Sequence, residues 1–236
     1  MTARAAGPSS ARVGVAVPAA GSGLRMGGVR KAFLYLLGQP TLLHALGPFL
    51  AETRVVAVVV ALAPEDASSP PSWLLDLAPR VLVVAGGATR SQSVRSAIAA
   101  LPEDLDAIAV HDAARPLITL RVVAECLDLA LEGFGAVAGC PAVDTLKRVD
   151  TQGFVLDTPD RSSFWHAQTP QVFPAGVLRA AYADARAEGT DDSALVERTG
   201  SGVRVRMVDA GPSNLKVTRP EDVPVAEAIL RGRAER

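Results

Sequence analysis

A chain of 236 residues with a formal net charge of −1, from 24 basic and 25 acidic residues, is long enough for one large α/β domain. Its charges are spread along the length without a basic run, which argues against nucleic acid or a membrane surface as a partner. Apolar residues make up 49% and aromatic residues 4%, so the predicted core is Val, Leu, Ala and Ile, large enough to fold without disulfides or structural metal. Cys126 and Cys140 lack CxxC spacing and sit in apolar stretches, which suits buried thiols in a reducing compartment.

Residues Met1–Arg12 carry charge, Pro and Ser but no apolar signal-peptide region, and read as a disordered tail. One domain is expected from Val13 to about residue 232. The longest apolar run, Val55–Ala63, is too short to span a bilayer, so the expectation is a cytoplasmic protein. Strands are predicted at Val13–Val17, Val55–Ala61, Val81–Ala85, Ala107–His111, Ala136–Cys140 and Val203–Val208. Several are continuous apolar runs, as parallel strands covered on both faces require. Helices are predicted at Leu42–Ala51, Ser91–Ala100, Leu120–Glu132, Ala175–Glu188 and Glu221–Arg231, the last opened by the capping spacing Thr218-x-x-Glu221. Strand–helix alternation implies a Rossmann-like, doubly wound, mostly parallel sheet with ligands at the carboxyl ends of its strands. Between about residues 141 and 165 the rhythm breaks. Thr145–Val149 and Phe154–Thr158 flank Gln152-Gly153, predicting a projecting β-hairpin arm that would pair with a second subunit.

The loop Pro18-Ala-Ala-Gly-Ser-Gly-Leu-Arg-Met-Gly-Gly-Val-Arg-Lys31 follows the first strand. Its glycines let backbone N–H groups approach an anion, and Arg25, Arg30 and Lys31 add full charges, which favours a polyphosphate cradle over a plain surface loop. Walker A is excluded because no Lys here precedes Ser or Thr, and the Rossmann fingerprint fails because the glycine after Gly23 comes at Gly27, one position late. No acid ends the second strand to bind a ribose, which counts against a nicotinamide-dependent oxidoreductase.

Asp112, at the end of the fourth strand, is placed either to ligate Mg²⁺ beside a triphosphate or to cap the next helix; the glycine loop tips the balance toward the metal. Gly86-Gly-Ala-Thr-Arg-Ser-Gln-Ser93 offers amides and hydroxyls to a base, although its spacing fits a helix cap better. Arg161 is either a clamp on a second phosphate or a solvated side chain, and Lys216 points either to the site or to solvent. His44, His111 and His166 make no zinc pattern, and no acyl-transfer nucleophile signature is present.

Taken in order, Pro18-Ala-Ala-Gly-x-Gly-x-Arg-Met26, Gly86-Gly87, His111-Asp-Ala-Ala-Arg-Pro116, Asp144-Thr145, Thr169-Pro-Gln171 and Lys216-Val-Thr-Arg-Pro-Glu-Asp222 resemble the 2-C-methyl-D-erythritol 4-phosphate cytidylyltransferases of the non-mevalonate isoprenoid pathway. The resemblance runs from Val13 to about Leu230 and implies a nucleotide-diphospho-sugar transferase-like fold acting on CTP with Mg²⁺. It implies that Arg25 and Lys31 contact the triphosphate and stabilise the pentacoordinate phosphorus, with Lys216 assisting and Asp112 holding the metal. Ala19, Ala20, Gly21, Gly23, Gly87, Ser93 and Arg115 would bind the nucleotide. Thr145, Arg161 and Thr169 would bind the polyol phosphate, Thr145 and Arg161 from the arm of a partner in a homodimer. The sequence departs from the family at Arg30, where many members carry Pro, and at Ala88, where many carry an acid. A cytidylyltransferase for another polyol phosphate, such as ribitol 5-phosphate, shares the nucleotide half, and a non-catalytic nucleotide sensor would share the fold.

Overall fold

The computed structural model describes residues 10–21, 30–184, 188–189 and 191–234. In chain order the elements are β1 (Val13–Pro18), β2 (Tyr35–Leu36), β3 (Gln39–Pro40), α1 (Thr41–Ala51), β4 (Val55–Leu62), α2 (Pro64–Ser68), α3 (Ser72–Leu75), β5 (Val81–Ala85), α4 (Arg90–Ala100), β6 (Ala107–Val110) and α5 (Leu120–Leu131). They continue with β7 (Gly135–Pro141), β8 (Arg148–Val149), β9 (Val155–Asp157), β10 (Trp165–Pro174), α6 (Ala175–Ala181), α7 (Asp192–Arg198), β11 (Val205–Asp209) and α8 (Asp222–Ala234).

Seven strands form one sheet in the order β11-β7-β10-β6-β1-β4-β5. All neighbours pair parallel except β10, which runs antiparallel to both β6 and β7. The sheet is therefore mostly parallel, with one inverted strand. Alternation along the strands divides two cores. Val13, Val15 and Val17 face one side with Leu42, Leu46, Phe49, Val123 and Leu127 of α1 and α5. Ala16, Val59 and Ile108 face the other with Val94 and Ile98 of α4, Leu178 of α6 and Leu195 of α7. A smaller cluster of Leu36, Leu117, Val217 and Ala226 seats α8.

The chain leaves β1 toward β4 and β5 on one side and places β6 on the other, so the order reverses between β1 and β6. In a parallel sheet that reversal opens a crevice at the strand carboxyl ends. The opening lies beyond Pro18 and Val110, where the sequence has its glycine loop and Asp112.

Several expectations are corrected. The helix expected over Ala175–Glu188 ends at Ala181, and a separate helix, α7, begins at Asp192. Tyr182 closes α6 with its side chain buried, turning the chain toward α7. Strand β10 is not among the predicted strands; its middle, Gln168-Thr169-Pro170-Gln171, is polar in sequence yet buried. The acid serving Thr218 is Asp222 rather than Glu221: Asp222 Oδ2 accepts from Thr218 N at 2.6 Å and Arg219 N at 2.8 Å. Arg12, read as the end of the tail, joins the fold, its N–H donating to Asp106 Oδ2 at 2.8 Å. Residues 1–9 lie outside the described residues.

The hairpin stands where it was expected. β8 and β9 pair antiparallel, Gly153 takes φ +90°, and Asp150 Oδ1 accepts from Gln152 N and Phe154 N, both at 2.9 Å. That left-handed φ is the reason for glycine at the turn. The arm keeps Val143, Val149, Phe154, Val155 and Leu156 at least half exposed.

Candidate active site

At the strand reversal lies a cavity of about 320 Å³, within the range of small-molecule sites. Five chain segments wall it: Pro18–Gly21 after β1, Lys31 and Ala32, Gly87–Arg90 with Ser93, Asp112–Ala114 after β6, and Lys216.

Each segment is held by local structure. Ala19 N donates to Ala61 O at 2.8 Å, carrying the β1–β4 ladder into the loop. Lys31 opens a 3-10 turn, Lys31–Phe33, whose Ala32 is buried in the core. Immediately before it, the Arg30 guanidinium pairs with Glu65 and Asp66 of α2. Arg30 therefore ties the base of the glycine loop to the segment following β4, where a proline would offer no such bond. Gly23 and Arg25 lie outside the described residues.

The Gly86–Ser93 segment is a helix start, as its spacing suggests. Thr89 caps α4 in a reciprocal capping box with Gln92. Gly87 is required here because a Cβ would lie 2.3 Å from Gln92 Cβ. Ser93 Oγ accepts from Gly87 N at 3.2 Å and donates to Thr89 O at 3.0 Å, so it fixes the turn that presents the Gly87 backbone to the cavity.

Asp112 is the sole carboxylate among the described cavity-lining residues. Its Oδ1 lies 3.1 Å from Arg90 Nε, and its Oδ2 lies 2.7 Å from Lys216 Nζ and 3.8 Å from Arg115 Nε. Burial by itself would raise its pKa, but Arg90, Lys216 and Arg115 together hold it well below the usual carboxylate range. Asp112 is thus ionised.

Behind Asp112 is a buried polar support. Asp112 N donates to Thr169 Oγ1 at 3.0 Å, and Thr169 Oγ1 lies 3.0 Å from His111 Nδ1. His111 Nε2 lies 3.1 Å from Arg115 O. Burial pushes the His111 pKa down to about 4, so the ring is neutral. The network then assigns its proton to Nε2, donating to Arg115 O, while Nδ1 accepts from the Thr169 hydroxyl. Thr169 reaches this position because the β10–β7 register jumps between Ala167 and Gln171, bulging Gln168–Pro170 out of the ladder. Asn214 Nδ2 donates to Gln168 Oε1 at 2.8 Å and Thr169 O at 3.1 Å, while Arg115 NH1 donates to Asn214 O at 2.8 Å. Val217, fully buried, then seats Lys216 over Asp112.

The structure therefore brings together Ala19, Ala20, Gly21, Lys31, Gly87, Ser93, Asp112 and Lys216 around one cavity. Arg115 and Thr169 stand in the wall behind Asp112. Thr145 and Arg161 do not reach this cavity; both are exposed on the arm, and Arg161 NH1 donates to Val143 O at 2.7 Å. Sequence reasoning missed Arg90, whose guanidinium joins Asp112 to the buried Asp192, and it missed Gln171 and Asn214.

Among the described residues, no group of three His, Cys, Asp or Glu side chains is placed to hold a metal ion. One ionised carboxylate facing an anion pocket is the donor set that suits Mg²⁺ arriving with phosphate oxygens, since that ion commonly takes only one or two protein carboxylates. Asp112 fits such an ion, which would compete with Lys216 for Oδ2. No helix among the described residues is long and apolar enough to cross a membrane.

Residues 13–232 match the family described as 2-C-methyl-D-erythritol 4-phosphate cytidylyltransferase. The chain is 43% identical over 221 residues to the protein of that name from Synechococcus sp. (strain WH7803), covering 92% of this chain and 98% of that one. It is also 43% identical over 234 residues to the one from Symbiobacterium thermophilum, covering 97% of each. The crystal structure of 2-C-methyl-D-erythritol 4-phosphate cytidylyltransferase from Thermus thermophilus superposes with a TM-score of 0.75 at 32% identity, covering 94% of this chain and 99% of that one.

Proposed function

The chain belongs to the 2-C-methyl-D-erythritol 4-phosphate cytidylyltransferase family, and from that premise we propose how its cavity performs cytidylyl transfer. The reaction joins CTP and 2-C-methyl-D-erythritol 4-phosphate to give 4-diphosphocytidyl-2-C-methyl-D-erythritol and pyrophosphate, a step of isoprenoid precursor synthesis. The observation that carries the reading is the pairing of Lys31 and Lys216 in one cavity with backbone of Ala19–Gly21 and Gly87 and a single ionised Asp112.

A phosphate oxygen of the polyol phosphate forms a bond to the α-phosphorus of CTP, and the bond from that phosphorus to the β-phosphate bridging oxygen breaks. Both reactants are anions, so the residues must chiefly position them and offset charge. Lys31, with Arg25, takes the triphosphate and the charge that develops on the α-phosphoryl oxygens. Lys216 shares that task from the opposite wall. Backbone groups at Ala19, Ala20, Gly21, Gly23 and Gly87, with Ser93 behind them, receive the nucleotide, and Arg115 completes the wall.

The nucleophile is already a phosphate anion near neutral pH, so no general base is required. His111 supports this, since both of its ring nitrogens are engaged inside the wall. Asp112 would hold Mg²⁺, which supplies neutralisation of the triphosphate when bound.

The polyol phosphate is held by Thr145 and Arg161, with Thr169 behind Asp112. Because Thr145 and Arg161 stand outside their own chain's cavity, they serve the cavity of a second copy in a homodimer. The exposed apolar arm supports this arrangement. A cytoplasmic setting accords with substrates of this kind.

The deciding experiment incubates the protein with CTP, Mg²⁺ and either 2-C-methyl-D-erythritol 4-phosphate or ribitol 5-phosphate and identifies the product by mass spectrometry. The methylerythritol conjugate is expected; preferential formation of CDP-ribitol would overturn the reading.

A further inference from the structure

Asp192 is a fully buried charge that the mechanism above leaves unused. It is the first residue of α7, with a side-chain exposure of 0%, and it lies 80 positions beyond Asp112 in the sequence. An ionised carboxylate taken out of water is costly unless it is paired and hydrogen-bonded. Here the pairing is specific. Arg90 NH1 donates to Asp192 Oδ1 at 3.1 Å and Arg90 NH2 donates to Asp192 Oδ2 at 2.8 Å, a two-pronged contact. The Tyr182 hydroxyl donates to Asp192 Oδ1 at 2.5 Å, and Asp192 N donates to Gln171 Oε1 at 3.0 Å.

The third donor of the same guanidinium, Arg90 Nε, points the other way and reaches Asp112 Oδ1 at 3.1 Å. The guanidinium is planar and rigid, so fixing its two outer nitrogens on Asp192 fixes the direction of Nε. Arg90 also lines the cavity, yet its charge is matched from behind by Asp192. Lys216 contacts the Asp112 oxygen that Arg90 leaves.

We propose that Asp192 is a positioning residue of this enzyme: it aims Arg90 so that Nε fixes one oxygen of Asp112 and leaves the other to Lys216. The inference rests on the roles given to Asp112 and Lys216 above. A purely structural pin would need only the backbone contacts of α7, which Gln171 and the Asp191 cap already supply through Ser193 N at 2.8 Å and Ala194 N at 2.9 Å.

The experiment compares Asp192→Asn, Arg90→Lys and Tyr182→Phe in the full-length enzyme. It measures kcat and KM for CTP, with calorimetric CTP stoichiometry to count folded sites. Asp192→Asn keeps the shape and a hydrogen-bond acceptor for Tyr182 but loses the charge that matches Arg90. It is expected to lower kcat about 10–100-fold per folded site with KM for CTP little changed, the scale on which supporting residues act. Arg90→Lys, with a point charge in place of the fork, is expected to do the same. Tyr182→Phe loses stability by removing one bond from Asp192 but leaves the Arg90 fork, so its kcat per folded site should stay within about twofold of wild type.

Wild-type kcat in Asp192→Asn, or equal losses of kcat per folded site in Asp192→Asn and Tyr182→Phe, would overturn the proposal. Should Asp192→Asn fail to fold, Arg90→Lys decides: a kcat loss at constant KM supports the proposal, and wild-type kcat or a loss confined to KM overturns it. Asp112→Asn and Lys216→Ala run alongside. Wild-type kcat in those two would remove the reading of the cavity and this inference with it, whereas losses there without one in Asp192→Asn sink this inference alone.

Discussion

His111 shows how a residue beside a reactive centre can be structural. Its folded pKa of about 4, against an ordinary 6.5, means that the unfolded chain binds a proton in this interval and the folded chain does not. Its contribution is therefore fully present above about pH 6.5 and is lost as pH falls toward 4, at up to about 1.4 kcal/mol per pH unit. Asp112 is depressed too, but its loss begins only lower, as pH falls through the ordinary carboxylate range. Denaturant unfolding between pH 6.5 and 5 should therefore show a His111→Gln protein that is less stable at pH 7 yet loses less stability on acidification; an unchanged slope would contradict the neutral imidazole. For the chemistry, Lys31→Ala should lower kcat by about 10²–10³-fold if, as proposed, its charge stabilises the transition state. Steady-state assays with a near-normal kcat would refute that role. Asp112 and the Gly87 turn were legible because each closely follows a strand end, and Lys31 because it closes the glycine-rich loop after β1. Arg90 and Asp192 were not: they meet across 102 positions, and neither belongs to a local pattern that announces a pair.

Elements were legible wherever apolar pattern and caps agreed. β5 spans the predicted Val81–Ala85, and β1, β4, β6 and α4 differ from expectation by about a residue at an end, as boundaries ordinarily do. β10 was hidden because a strand that buries Gln168, Thr169 and Gln171 has no hydrophobic period to detect. Helix propensity alone carried the expected helix past Tyr182, where tertiary contacts with Asp192 stop it. The turn before α4 gives the prediction for this scale. Gly87→Ala would drive a methyl into Gln92, whose Oε1 accepts from Ala88 N at 2.9 Å, so the capping box must open. Stability should fall by about 1–3 kcal/mol in chemical denaturation, with CTP affinity falling as the turn is displaced. Wild-type CTP binding by calorimetry would show that the turn does not present the nucleotide.

At the scale of the molecule, the cavity and the arm are separate modules of one chain, and neither carries all the proposed contacts. Arg161→Ala should raise KM for the polyol phosphate while leaving the Kd for CTP nearly unchanged; equal losses would refute that division. Arg161→Ala has an intact cavity and Lys31→Ala an intact arm, so each mixed dimer regains one complete site. Unfolding and refolding the two impaired proteins together at equal amounts, and assaying at a polyol phosphate concentration well below the KM raised by Arg161→Ala, should restore about a quarter of wild-type activity, given two-fold symmetry and random pairing. No recovery, with mixed dimers verified by mass spectrometry, would show that the arm does not complete a partner's site. The doubly wound architecture was legible from strand–helix alternation, and the hairpin from Gln152-Gly153. Which cavity the arm serves was not legible in the residues themselves and came only from the family resemblance, because no local pattern in one chain encodes a contact proposed to run between two.

The buried polar support of Asp112 also bears on how this protein can change. His111, Thr169, Gln168 and Asn214 are joined through one another, so replacing one leaves a neighbour without its bond in the interior. Those positions can drift only through coordinated replacement. Thr145 and Arg161 are solvent-exposed, and changing them orphans nothing in the core. A directed-evolution library seeking a new acceptor alcohol should therefore diversify the arm first and leave the floor beneath Asp112 untouched.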